Sequence, residues 1–233
     1  YKPMEGPASG AVLLTGATGF LGAHLLNELA RNMRRDTVCV IRGGDPGRLS
    51  GVMAEYFGSG WYEANAALVR VVAGDMEKPD LGIDEAELSG LIGKVGALIH
   101  CAADVRHFAA DENASIRANA GGTANAVRLA SKLGASLAYV STISVMGDAR
   151  TEPFSEESEP ADPECETNVY VKSKCAAEQL VRRCAKLLPS VRIFRVGRLV
   201  GRDSDGVFQK NKNANALYSF LRGALALEEY PEG

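Results

Sequence analysis

Short apolar runs alternate along the chain with stretches whose apolar positions recur at helical spacing. The runs "AVLLT" (11–15), "TVCVI" (Thr37–Ile41), "LVRVVAG" (Leu68–Gly74), "ALIHCA" (Ala97–Ala102), "SLAYVST" (Ser136–Thr142) and "VRIFRV" (Val191–Val196) each predict a buried strand. Between them, "LGAHLLNELARN" puts Leu21, Leu25 and Leu29 on one stripe, and "NAGGTANAVRLASKLG" turns Ala120, Ala124, Val127 and Leu129 inward; both predict helices. Strands apolar on both faces and separated by helices call for a parallel sheet covered on both sides, because right-handed crossovers place the helices there. The expected fold is therefore α/β, a doubly wound parallel sheet. One segment breaks the alternation. "TEPFSEESEPADPECETN" (Thr151–Asn168) holds seven acidic residues, no basic ones and three prolines, which predicts a long irregular loop, either a solvated excursion or a lid.

Composition narrows the function classes. A net charge of -3 with interspersed signs and no basic stripe gives no general attraction for nucleic acid or an anionic membrane. Cys39, Cys101, Cys165, Cys175 and Cys184 are scattered without a C-x-x-C pair, so reduced thiols in a cytoplasmic protein are expected, with neither a disulfide framework nor a metal site. No segment is long and apolar enough to span a membrane, and "YKPMEGPASG" lacks the pattern of a signal peptide. Residues 1–9 read as a linker or remnant, the start of a chain cut from a larger protein.

In "TGATGFLG" the glycines fall at Gly16, Gly19 and Gly22, after a strand and at the opening of a helix. Glycines so placed allow a sharp turn and let backbone N–H groups reach a pyrophosphate at the positive end of the helix. The end of the second strand selects the dinucleotide. An acid there commonly binds the ribose hydroxyls of NAD, whereas this chain has Arg42, with Arg48 nearby, and guanidinium groups attract the 2′-phosphate of NADPH. Asp45 counts on the side of NADH. Asp75, in "AGDM", either accepts from the adenine amino group or closes a strand-end turn.

Tyr170 and Lys174 in "YVKSK" are four apart and share a helix face. An ammonium beside a phenol favours the phenolate and brings the tyrosine closer to working range as a proton donor. Ser141 and Thr142 end the fifth strand at the carboxyl edge, where such sheets bind ligands, and a hydroxyl there can donate to an oxygen gaining negative charge.

Together, "TGATGFLG", "HCAA", "VSTISV" and "YVKSK" resemble the extended short-chain dehydrogenase/reductases, which have a Rossmann fold. Thr142, Tyr170 and Lys174 match that family's catalytic Ser/Thr, Tyr and Lys. "HCAADVRHF", "NAGGTANAVRLA", "FRVGRLVGRDSDGVFQKN" and "ALYSFLRGALALEEYP" are similar to the thioester reductase domains that end nonribosomal peptide and polyketide synthetases, a pattern shared with carboxylic acid reductases. The resemblance implies a Rossmann domain over residues 10–203 and the start of a smaller, truncated substrate-binding region over 204–233. It implies cofactor contacts from Gly16, Thr18, Gly19, Phe20, Leu21, Arg42, Arg48, Asp75, Met76, Cys101, Ala102, Ala103, Ser141, Tyr170, Lys174, Val196 and Gly197. It also implies a partner, an acyl or peptidyl carrier protein whose phosphopantetheine arm bears the thioester, within a larger synthetase. The expected reaction is NADPH-dependent release of that thioester as an aldehyde, with further reduction to an alcohol left open.

Cys101 departs from the family, which usually has asparagine there, and offers a rival chemistry as an acyl-accepting thiolate. Asn119 matches a helix position that braces the active site in relatives, and is otherwise an ordinary polar residue. His107 borders the acyl pocket or is structural; His24 and His100 are expected to pack. Gly121 and Gly122 bring their helix close to the sheet, "RNMRRD" places cations at a helix C-terminus, and Arg182, Arg183 and Lys186 either meet an acidic carrier protein or form a solvated face. Two other functions share the glycine loop: a nucleotide-sugar epimerase or dehydratase, and a non-catalytic module sensing NADP, which would be expected to have lost the Tyr/Lys pair.

Overall fold

Six strands, β1 (Ala11–Thr15), β2 (Thr37–Ile41), β3 (Val69–Ala73), β4 (Val95–His100), β5 (Ser136–Thr142) and β6 (Val191–Val196), form one parallel sheet in the order β3-β2-β1-β4-β5-β6. They are seen in a computed structural model that describes residues 10–105, 111–147, 153–210 and 215–227. Four strands match the sequence reading at both ends. β4 starts earlier than its apolar run because Val95 pairs with Ala11, and it stops before Cys101, whose N–H turns to the Thr15 hydroxyl. Every residue of β2 is buried and β1, β4 and β5 nearly so, whereas β3 and β6 are partly open, as expected for inner and edge strands of a sheet covered on both faces.

The connections carry α1 (Phe20–Asn27, continuing as a π turn over Glu28–Asn32), α2 (Pro46–Phe57), α3 (Trp61–Asn65), α4 (Glu85–Leu91), α5 (Glu112–Ile116), α6 (Gly122–Leu133) and α7 (Val169–Cys184). Leu13, Leu98 and Leu137 of the sheet share one core with Leu129 and Leu133 of α6 and Val181 of α7. The stripe expected on α1 is rotated. Gly22, Ala23 and Leu26 are buried, followed by Leu29 and Ala30, while Leu21 and Leu25 are half-buried. Gly22 sets this rotation by lying against the Gly16 carbonyl, leaving no room for a side chain. On α6, Val127 and Leu129 are buried as expected, but Ala124, and Ala120 in the π turn over Arg117–Gly121 that precedes the helix, are half-buried, because that turn shifts the phase of the helix entry.

These elements belong to the first of two compact units, Tyr1–Gly197 and Arg198–Gly233. The second unit holds α8 (Ala216–Leu227), a turn tied by Arg202 and Asp205, and the stacked rings of Phe208 and Tyr218, 4.8 Å apart.

Candidate active site

Thr15 closes β1 and joins it to β4. Its hydroxyl lies 2.9 Å from His100 Nδ1 and accepts from the N–H groups of Cys101 and Ala102, both at 3.2 Å. Gly16 then turns with φ +77°, and a Cβ there would lie 2.7 Å from the Ala102 nitrogen, so glycine is required twice over, by conformation and by space. Gly19 is the N-cap of α1 and supplies no side-chain cap, which leaves the N–H groups of the first turn without a capping side chain, at a helix that follows β1, the strand between β2 and β4 where the sheet order reverses. The loop thus has the form of an anion cradle. Thr18 is half-buried and Gly19 exposed; Phe20 packs against His24 and Tyr56.

Arg42 leaves β2 exposed, with Nη2 3.5 Å from Asp75 Oδ1 and 3.6 Å from Glu77 Oε1, so two residues assigned to the cofactor from sequence meet each other. Asp75 also accepts from the Glu77 N–H, which makes the strand-end turn. Asp45, which counted toward NADH, caps α2: its Oδ1 accepts from the Gly47 N–H at 2.8 Å, with Pro46 in the first helical turn. Arg48 is exposed in that same turn. Met76 packs against Gly122 and the core, and its carbonyl accepts from Asn125 at 2.8 Å.

Asn168 caps α7 by accepting from the N–H groups of Tyr170 and Val171, which fixes Tyr170 in the first turn. Three residues one turn apart on α7 then meet three successive residues of β5. Tyr170 hydrogen-bonds the Thr142 hydroxyl, Lys174 Nζ donates to the Val140 carbonyl at 2.7 Å, and Glu178 Oε2 accepts from Ser141 Oγ at 2.6 Å. The hydroxyl of Ser141 is thereby committed to Glu178, and Thr142 is the strand-end hydroxyl beside the phenol. Burial pushes the Tyr170 phenol above its usual range, and the group drawing it back is Thr142. This corrects the expectation that Lys174 does so. Lys174 spends its ammonium on a carbonyl and lies 4.4 Å over the Tyr139 ring, and burial lowers it to about 8, against smaller opposing effects of Cys101 and Glu178.

Asn119 braces this assembly. Its amide accepts from the Asp104 N–H at 2.7 Å and donates to the Asp104 carbonyl and to Ser173 Oγ, both at 2.8 Å; Ser173 in turn donates to the Tyr170 carbonyl. The loop after β4 is clamped to α7 in this way. Burial pushes the Cys101 thiol up to about 11, only partly opposed by Lys174, so the thiolate of the rival chemistry is disfavoured. His100 is buried and lowered to about 3, by burial first and Lys174 second, and packs as a neutral ring. Ala102 and Ala103 are half-buried at the same edge, and Val196, next to Gly197, pairs in register with Thr142. His107 lies outside the described residues. Arg182 is not a free cation for docking, since it binds Glu178, Glu159 and the Ser158 carbonyl; Arg183 and Lys186 are exposed.

Thr15, Ser173, Glu178 and Arg195 were not singled out from sequence. Only Thr15 carried a local signal, a hydroxyl directly before the glycine turn; the others act through partners distant in the chain.

The profile of the Male sterility protein family, a group of NAD-binding domains, matches residues 14–232. The chain belongs to this family. It is 32% identical over 241 residues to a component of the linear gramicidin synthase of Brevibacillus parabrevis, covering 99% of this chain and 5% of that protein. Among solved structures, the terminal R domain from the myxalamid PKS-NRPS biosynthetic pathway superposes with a TM-score of 0.84 at 34% identity, over 97% of this chain and 57% of that one. A thiolation-reductase di-domain from an archaeal non-ribosomal peptide synthetase gives a TM-score of 0.80 at 33% identity, over 96% and 48%. The chain therefore spans about half the length of these solved relatives and a small part of the synthase.

Proposed function

We propose that the chain is the cofactor-binding and catalytic part of a reductase that releases a carrier-protein-bound thioester, using NADPH, in the cytoplasm and within a larger synthetase. The observation that carries this reading is the pairing of Tyr170 with Thr142 at the carboxyl edge of β5, with a buried Lys174 one turn further along α7 held to the Val140 carbonyl of the same strand. The contacts of Thr15 with Cys101 and Ala102, which join the glycine turn to the end of β4, support the same reading.

The residues fit a nicotinamide dinucleotide. The Gly16–Gly19 turn and the uncapped first turn of α1 suit a pyrophosphate; Asp75 and Met76 would then serve the adenine end, and Ala102, Ala103, Val196 and Gly197 the nicotinamide end. Exposed ion pairs are worth about 0–1 kcal/mol, so Arg42 can exchange Asp75 and Glu77 for a 2′-phosphate at little cost, which supports NADPH over NADH. When bound, the reduced cofactor supplies a hydride to the thioester carbonyl carbon. Thr142 and Tyr170 hydrogen-bond the carbonyl oxygen as it gains charge, and the Tyr170 hydroxyl delivers the proton to it. Lys174, fixed by the Val140 carbonyl, holds a cation close to the site. The resulting hemithioacetal loses the pantetheine thiol, its C–S bond breaking as the hydroxyl proton passes to sulfur, and an aldehyde remains.

Mass analysis of products after incubating the protein with an acylated carrier protein and NADPH tests the proposal. An aldehyde or alcohol is the expected product. Turnover of a nucleotide sugar in place of the thioester overturns it.

A further inference from the structure

The stripe of α7 that carries Tyr170 and Lys174 has a third member, Glu178, one turn further on, and its side chain is fully buried. Glu178 sits at the centre of a buried polar cluster. Ser141 Oγ donates to Oε2 at 2.6 Å, Arg195 of β6 donates from Nη2 to Oε1 at 2.7 Å, and Arg182 donates from Nε to Oε1 at 3.2 Å. The two arginines also fasten the acidic segment. Arg195 donates to the carbonyls of Ser155 and Ser158 and lies 4.4 Å over the Phe154 ring, and Arg182 donates to the Ser158 carbonyl and to Glu159. The segment read from sequence as a solvated excursion or a lid is thus anchored at both serines.

From this arrangement, and resting on the reading of Tyr170 and Thr142 as the catalytic pair, we propose that Glu178 is a positioning residue that fixes the register of α7 against β5 and so aligns the Tyr170 hydroxyl with Thr142. Rotation or slippage of α7 would have to break the bond from Ser141 to Glu178, because Ser141 is the residue directly before Thr142 on a strand end that the β6 ladder holds, Ser141 against Arg195 and Thr142 against Val196. Withdrawing the Glu178 carboxylate would also leave the Arg195 charge uncompensated, which opposes movement of the residue that forms the rung. Arg195 and Arg182 keep the carboxylate charged: burial alone pushes Glu178 up, and the hydrogen bonds of Arg195 and Ser141 more than offset it. Through the same arginines, the acidic segment becomes part of the scaffold of the site.

The test uses the Tyr170 ring carbon bearing the hydroxyl, labelled with carbon-13 and assigned by its loss in Tyr170→Phe. In folded Glu178→Gln this resonance is expected to move toward its position in Thr142→Ala, where the phenol has lost the same partner. Activity gives a second readout through a double-mutant cycle. Glu178→Gln is expected to lower kcat about tenfold in the wild-type background and less than about twofold in Thr142→Ala, with the KM for NADPH unchanged in both. An unmoved resonance, or an equal loss of kcat in both backgrounds, overturns the positioning role. If Glu178→Gln does not fold, Ser141→Ala removes the rung while leaving the ion pairs, and its resonance must shift in the same direction or the proposal fails. A wild type inactive on thioesters would overturn the proposed reaction but leave the resonance test of Glu178 intact.

Discussion

Lys174 donates from Nζ to the carbonyl oxygen of Val140, 2.7 Å away. The ammonium is held by the backbone of β5, in a position set by the same ladder that places Thr142. The phenol is consequently tuned by a neutral hydroxyl, while the lysine supplies a fixed cation whose own proton is loosened by burial.

The lowered lysine makes stability depend on pH. Its folded value of about 8 lies below the ordinary 10.5, so between these values the unfolded chain binds a proton that the folded protein has released. Stability from this site is therefore expected to rise with pH from about 8 to about 10.5, and below 8 the fold bears the full cost of a buried charge. Urea unfolding of wild type and Lys174→Met across this window checks it. Wild type should gain relative to the variant as pH rises; a constant difference contradicts the assignment.

Tyr170→Phe removes the proton donor and keeps the ring. Loss of a positioned general acid costs roughly 10²–10⁴-fold, so reduction should fall by at least about 100-fold with NADPH affinity nearly unchanged. Calorimetric binding and the absorbance of the reduced nicotinamide separate the two effects.

Much of the architecture was legible because it is local. The inner strands of a sheet covered on both faces read as unbroken apolar runs, and the glycine spacing, Arg42, Tyr170 and Lys174 all lie within short motifs. What failed depends on registry between distant segments. Glu178 gave no signal in the sequence, and only the approach of Arg195 and Ser141, far away in the chain, makes it the centre of a buried cluster. The rotated face of α1 came from a single backbone contact between Gly22 and Gly16, which apolar periodicity does not encode. Asp45 weighed mildly toward NADH because N-caps and ribose-binding acids use the same side chain at nearly the same place; in the structure it caps α2.

Arg42→Ala should distinguish the two nicotinamide cofactors. A charge-assisted hydrogen bond to a phosphate is worth about 1.5–3 kcal/mol, so NADPH affinity should drop roughly 10- to 100-fold while NADH affinity stays nearly constant. Equal losses for both would indicate that Arg42 serves the loop and not the 2′-phosphate.

Cys101→Ser tests the covalent route. With its thiol pushed up to about 11, Cys101 is a poor nucleophile near neutrality, and the variant is expected to retain most of the reductase activity. Abolished turnover, with an acyl adduct trapped on the wild-type cysteine, would reverse the mechanism.

The sheet order has a bearing on how the chain is made. β1 lies between β2 and β4, and the bond from Thr15 to His100 spans 85 residues. During synthesis the first strand therefore emerges with one edge unsatisfied and waits through several helices before its second neighbour leaves the ribosome. The glycine turn after β1 therefore reaches its final shape only once β4 has been made.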